Sequence, residues 1–141
     1  MVMSKNRYLI SGGTGMIGCA LIERLVSNGA DVTLLVRDTA KAKAKLTRRD
    51  LEGNLKYIQS DLSSGGVPKI QSSFDYIIHL ASTTHPKAYV ETPIATIALN
   101  VLVTKSLLDV AARNQGCRFV YASSVEVYGP NRGDLELFDE K

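Results

Sequence analysis

Three glycines spaced by three, Gly12, Gly15 and Gly18, constrain this chain more than any other feature of it. They lie in Ser11-Gly12-Gly13-Thr14-Gly15-Met16-Ile17-Gly18, directly after the apolar run Tyr8, Leu9, Ile10. A helical pattern follows from about Met16 to Asn28, with Ile17, Leu21, Leu25 and Val26 on one face and Gly29 as its stop. A strand that enters a helix through such a turn uses each glycine differently. The first permits the tight turn, the second lets backbone approach a pyrophosphate, and the third lets helix and strand pack closely. The helix N-terminus then offers N–H groups and a partial positive charge to an anion. Gly12, Gly15, Met16, Ile17 and Gly18 are therefore candidate dinucleotide contacts.

Strand and helix patterns alternate along the rest of the chain. Val32 to Val36 is a continuous aliphatic run, the mark of a strand buried on both faces. The Lys-rich segment after Arg37 favours helix. Leu55 to Ile58 predicts a third strand, Ser60 to Ser73 a loop, and Tyr76 to Leu80 a fourth strand. The longest helix follows, with Thr92 to cap it, Pro93 at its first position and Gly116 to end it. Ile94, Ile97, Ala98, Val101, Leu102, Leu108, Ala111 and Ala112 keep near-helical spacing through it. Arg118 to Ala122 predicts a fifth strand, leading to Ser123 and Ser124. This alternation predicts an α/β fold, a Rossmann-like doubly wound parallel sheet with helices on both faces, with residues 1–141 as one domain. Ligands of such sheets bind outside the carboxyl ends of the strands, where each motif here falls.

Composition excludes more than it assigns. Lys and Arg number 17 against 14 Asp and Glu, and a net charge of +3 is too small to argue for nucleic acid. Part of that excess is the run Lys41, Lys43, Lys45, Arg48 and Arg49, read as a solvated helix face. Cys19 and Cys117 have neither zinc-site nor redox-motif spacing, so they read as buried thiols and no metal site is expected. The N-terminus lacks a signal-like apolar stretch, and no run is long enough to cross a membrane. The expectation is a cytoplasmic protein without membrane or nucleic-acid partners.

Cofactor choice turns on the end of the second strand. An acidic residue about 20 positions past the glycines would bond the ribose of NAD, whereas Arg there accommodates the 2′-phosphate of NADP. Arg37 followed by Asp38 occupies that place, and both cofactors remain open. His79, at a strand end, reads as packed or bonded to backbone rather than catalytic.

Taken together, these residues resemble the extended short-chain dehydrogenase family of nucleotide-sugar epimerases, dehydratases and decarboxylases. The matching pieces are the glycine turn, Asp61-Leu62, His79-Leu80-Ala81-Ser82, Asn100, and Ser123-Ser124-Val125-Glu126-Val127-Tyr128-Gly129. The stretch from His79 to Gly129 is most similar to UDP-glucuronate decarboxylases. The resemblance implies that Asp61, with Leu62 beside it, meets the adenine end of the cofactor. It places Ala81 and Ser82 along the ribose and nicotinamide, with Leu80 a further cofactor contact. It makes Asn100 a structural tie between helix and strand. Ser124 would be a catalytic hydroxyl bonding the substrate oxygen, and Glu126 would serve a second step as acid/base or orienting carboxylate. A nucleotide sugar is the implied substrate, and a homodimer the implied full-length state.

The family's base is a Tyr followed four residues later by Lys, whose charge lowers the phenol pKa. None of the six tyrosines here has that partner; Tyr128 with Arg132 is interrupted by Gly129 and Pro130. The expectation is a chain that stops before the Tyr/Lys helix and the substrate lobe. Two other functions compete: an NADPH-dependent reductase resembling dihydroflavonol reductases, which Arg37 favours and Glu126 opposes, and a non-catalytic NAD(P)-sensing domain.

Overall fold

Five short strands pair in parallel: β1 (Arg7–Ser11), β2 (Asp31–Val36), β3 (Leu55–Gln59), β4 (Tyr76–His79) and β5 (Arg118–Tyr121). Their order in the sheet is β3-β2-β1-β4-β5. The computed structural model describes residues 5–47, 51, 54–83 and 85–129, and of Pro86, Val125 and Glu126 only the backbone. In register, Ser11 stands beside Leu35 of β2 and beside His79 of β4, so three strands end together.

Successive strand residues point to opposite faces, and both faces are covered. On one, Ile10, Leu34 and Ile78 pack against Ile22 and Val26 of α1 (Met16–Ser27) and Ala42 of α2 (Thr39–Lys45). On the other, Leu9, Leu35 and Ile77 pack against the long helical segment after β4. Asp38 caps α2: its carboxylate accepts a bond from the Lys41 amide at 3.0 Å, which, with the Lys41 charge, holds that carboxyl below its usual range. Lys41, Lys43 and Lys45 are exposed, with Lys43 over the Tyr57 ring; Arg48 and Arg49 lie outside the described residues.

The long helix differs from its expected form in three ways. It follows a separate helix, α3 (Pro86–Glu91), and is itself α4 (Pro93–Ile97), a π turn (Ala98–Leu102) and α5 (Val103–Ala112). Thr92 precedes α4 without capping it, because its hydroxyl donates back to the Ala88 carbonyl at 3.0 Å. Its buried stripe is Ala98, Val103, Leu107 and Val110, while Ile94, Ile97, Val101, Leu102 and Leu108 stay exposed. The helix is apolar on more than one face, and only one of its stripes is buried against the sheet. For the same reason Pro93–Ala112, at 20 residues and a mean hydropathy of 1.6, is long and apolar enough to cross a membrane by length and composition, contrary to the expectation. Here it lies as one layer over the sheet, with Val103 and Leu107 fully buried.

Smaller corrections follow from packing. Ile17 leaves the core face of α1 and is 65% exposed, whereas Ile22 is fully buried. Cys19 and Cys117 are half-buried rather than buried; burial first, then Asp75, pushes the Cys117 thiol up. The 60–73 connection contains a short 3₁₀ turn (Leu62–Ser64), and Leu62 and Ile70 join the second core.

Leu107→Ala should lower the unfolding free energy by about 2–5 kcal/mol, since it removes a fully buried side chain. Urea denaturation of the full-length protein measures this; a loss below about 1 kcal/mol would mean that the helix does not pack on the sheet through this stripe.

Candidate functional site

The sheet order reverses between β1 and β4. The chain leaving β1 turns toward α1 and β2, and the chain leaving β4 turns toward α3 and β5, so a crevice opens between them. Gly12 sits at its base with φ +75, a conformation L side chains avoid. A Cβ there would lie 2.5 Å from the Ala81 amide nitrogen. A Cβ on Gly18 would lie 2.5 Å from the Gly12 carbonyl oxygen and 2.7 Å from the Gly13 Cα. Backbone thus meets backbone at both positions, and no side chain fits.

Gly15 precedes α1. No side chain caps this helix and no acidic residue occupies its first turn. Its leading N–H groups and positive dipole end are directed at the crevice, where they suit an anion.

The crevice is a cleft of about 670 Å³, a size that suits a small-molecule ligand. It gathers every cofactor contact named from the sequence. Gly12, Gly15 and Gly18 line it with Met16 and Ile17, exposed by 88% and 65%. Arg37 enters from the end of β2, with Asp61 and Leu62 from beyond β3. Leu80, Ala81 and Ser82 enter from the end of β4. The Asp61 carboxylate accepts a bond from the Ser63 amide at 3.0 Å. That bond holds its carboxyl below the usual range, and the Arg37 guanidinium adds to the effect. Asp61 therefore starts a turn and lines the cleft at once.

Sequence reasoning missed several lining residues, among them Thr14 in the glycine turn, Ala95 and Leu99 from the long helix, and Ala122 after β5. Thr14 and Ala122 could have been found by counting from the motifs. Leu99 had no signal, because it reaches the cleft from the π turn, which no residue pattern announced. Asn100, in the same turn, accepts a bond from the Ser82 hydroxyl at 2.9 Å and so ties the helix to the chain after β4.

Ser124 does not line this cleft; it is exposed, and its carbonyl accepts from the Val127 amide at 3.2 Å as it opens the 3₁₀ turn Val125–Tyr128. The Glu126 side chain lies outside the described residues. His79 is buried beneath the crevice with its Nδ1 2.5 Å from the Ser11 Oγ. Among the described residues no group of three or more His, Cys, Asp or Glu gathers to hold a metal ion.

The sequence profile of the NAD dependent epimerase/dehydratase family matches residues 8–141. The chain belongs to that family. NAD is the family's cofactor, and this crevice fits it on two grounds: the approaches at Gly12 and Gly18, and the uncapped N-terminus of α1. Among relatives of this epimerase/dehydratase chain, UDP-glucuronic acid decarboxylase 1 of Danio rerio is 33% identical over 125 residues, 89% of this chain and 29% of that protein. A UDP-N-acetyl-alpha-D-glucosaminuronate decarboxylase of Bacillus cytotoxicus is 35% identical over 138 residues, 97% of this chain and 42% of that protein. The chain thus spans less than half the length of these relatives. The crystallised UDP-N-acetylglucosamine 4-epimerase of Methanobrevibacter ruminantium M1, in complex with UDP-N-acetylmuramic acid, shares the fold at a TM-score of 0.79 and 24% identity. That match covers 99% of this chain and 44% of the epimerase.

Gly18→Ala should weaken NAD+ binding at least tenfold (about 1.4 kcal/mol) in the full-length protein, read by calorimetry. Gly66→Ala, with nothing within 4 Å of the new methyl, is the control and should leave affinity unchanged. Equal affinities for the two variants would remove the glycine turn from the site.

Proposed function

We propose that this chain is the NAD-binding part of an enzyme that oxidises a hydroxyl of a nucleotide sugar to a transient ketone. The observation that carries this reading is the single cleft uniting the glycine turn, Arg37, Asp61 and the residues after β4, with the Ser124–Glu126 segment following β5. NAD, when bound, supplies the two-electron acceptor for such a step. The chain's own residues bind and orient. The glycine turn and the N-terminus of α1 hold the pyrophosphate, and Asp61 takes the adenine amino group. Ala81 and Ser82 border the ribose and nicotinamide. Ser124 bonds the substrate oxygen. Glu126 serves the second step, once a ketone has acidified the neighbouring carbon or made a neighbouring carboxylate easy to lose.

Decarboxylation is the favoured second step, because both relatives named above are decarboxylases. Residues 1–141 form the dinucleotide-binding domain in this reading, and further chain supplies the Tyr/Lys pair and the sugar-binding lobe. The protein works in the cytoplasm. It pairs as a homodimer through the long helix, whose exposed Ile94, Ile97 and Val101 offer an apolar stripe.

In the full-length protein, Glu126→Gln should keep NAD+ affinity within about twofold and cut turnover about 100-fold or more. Unchanged turnover would sink the role given to Glu126.

Arg37 in the cleft favours a second reading, an NADPH-dependent reductase. Calorimetric titration with NAD+ and NADP+ separates the two. Tighter NAD+ binding is expected. Tighter NADP+ binding, with the preference abolished by Arg37→Ala, would establish the reductase reading instead.

A further inference from the structure

His79 and Ser11 are the buried polar residues among those described. His79 is 1% exposed, and Ser11, its partner across the β1–β4 seam, is also 1% exposed. Leaving a buried imidazole short of partners is costly, so its place here needs a reason. Nδ1 is taken by the Ser11 hydroxyl. Nε2 has no partner in hydrogen-bond geometry, and the backbone of Leu99 is near enough to act on the ring. The Tyr121 ring of β5 closes the remaining side, 5.5 Å between centroids.

These contacts join three elements directly under the crevice. Ser11 is the last residue of β1, and Gly12 follows it. His79 is the last residue of β4, and the Leu80-Ala81 backbone that presses on Gly12 follows it. Leu99 belongs to the π turn and lines the cleft.

We infer that His79 is a positioning residue for the cofactor crevice. Through Ser11 it sets how closely the glycine turn meets the chain after β4. A neutral ring that carries its hydrogen on Nε2 leaves Nδ1 free to accept from the Ser11 hydroxyl. Burial favours that neutral form, pushing the His79 pKa below its ordinary value.

The test is a double-mutant cycle in the full-length protein, reading NAD+ dissociation constants beside unfolding temperatures of the NAD-free protein. Wild-type binding of NAD+ is measured first, so that failure of the cofactor assignment shows separately. Ser11→Ala and His79→Phe should each raise the dissociation constant about tenfold. The double variant should lose no more than either single one, because the two side chains act as one contact. His79→Asn, which keeps an acceptor near the Nδ1 position, should recover most of the affinity. Unchanged NAD+ affinity with a lowered unfolding temperature would overturn the inference and leave the pair a core contact only. Losses that add in the double variant would also overturn it. Ser11→Ala removes a single oxygen, so the test survives a failure of His79→Phe to fold.

Discussion

The approach of Gly12 to the Leu80-Ala81 backbone is the contact on which the site depends. It is a backbone-to-backbone contact, with room for hydrogen and nothing larger. Because β1 and β4 lie side by side and end together, the turn after one strand must pass against the chain after the other. That geometry opens the crevice at the reversal of the sheet order. It also directs the start of α1 into the crevice, where an anion can satisfy N–H groups that no side chain caps. A methyl group at Gly12 or Gly18 would push these layers apart, whatever the quality of the cores below.

The long helix shows how one element can serve two demands. Its sheet-facing stripe of Ala98, Val103, Leu107 and Val110 supplies packing. The π turn at Ala98–Leu102 shifts the helical phase between α4 and α5. As a result Ala95 and Leu99 reach the cleft while Val103 and Leu107 stay on the sheet. The turn is tethered where the cleft needs it by the Ser82–Asn100 bond. A second apolar stripe is left uncovered, which is why apolar spacing alone pointed to the wrong face of this helix.

Much of the architecture was legible because strand and helix periods differ so plainly. The runs Val32 to Val36 and Tyr76 to Leu80 mark strands buried on both faces, and the structure extends the first by Asp31 and ends the second at His79. Residues called for cofactor binding share one cleft because glycine and strand-end positions are set by the chain order of an α/β sheet. Asp61 was legible both as a turn residue and as a cleft residue, and it is both. Thr92 misled, because a hydroxyl ahead of a helix can bond backward as readily as forward. The Ser11–His79 pair was illegible, since the residues are 68 positions apart and meet only through strand register.

By itself, the sequence determined the class of fold, the alternation that builds a parallel sheet, and the glycine turn that lets backbone approach closely. These follow from local steric and periodic rules that each segment carries in its own residues. Tertiary structure alone decided which stripe of the long helix is buried, where the π turn falls, and that His79 pins β1 to β4 beneath the crevice. Those outcomes depend on which surfaces of distant segments come into contact, and a side chain's partner across a sheet is set by register rather than by its neighbours in the chain.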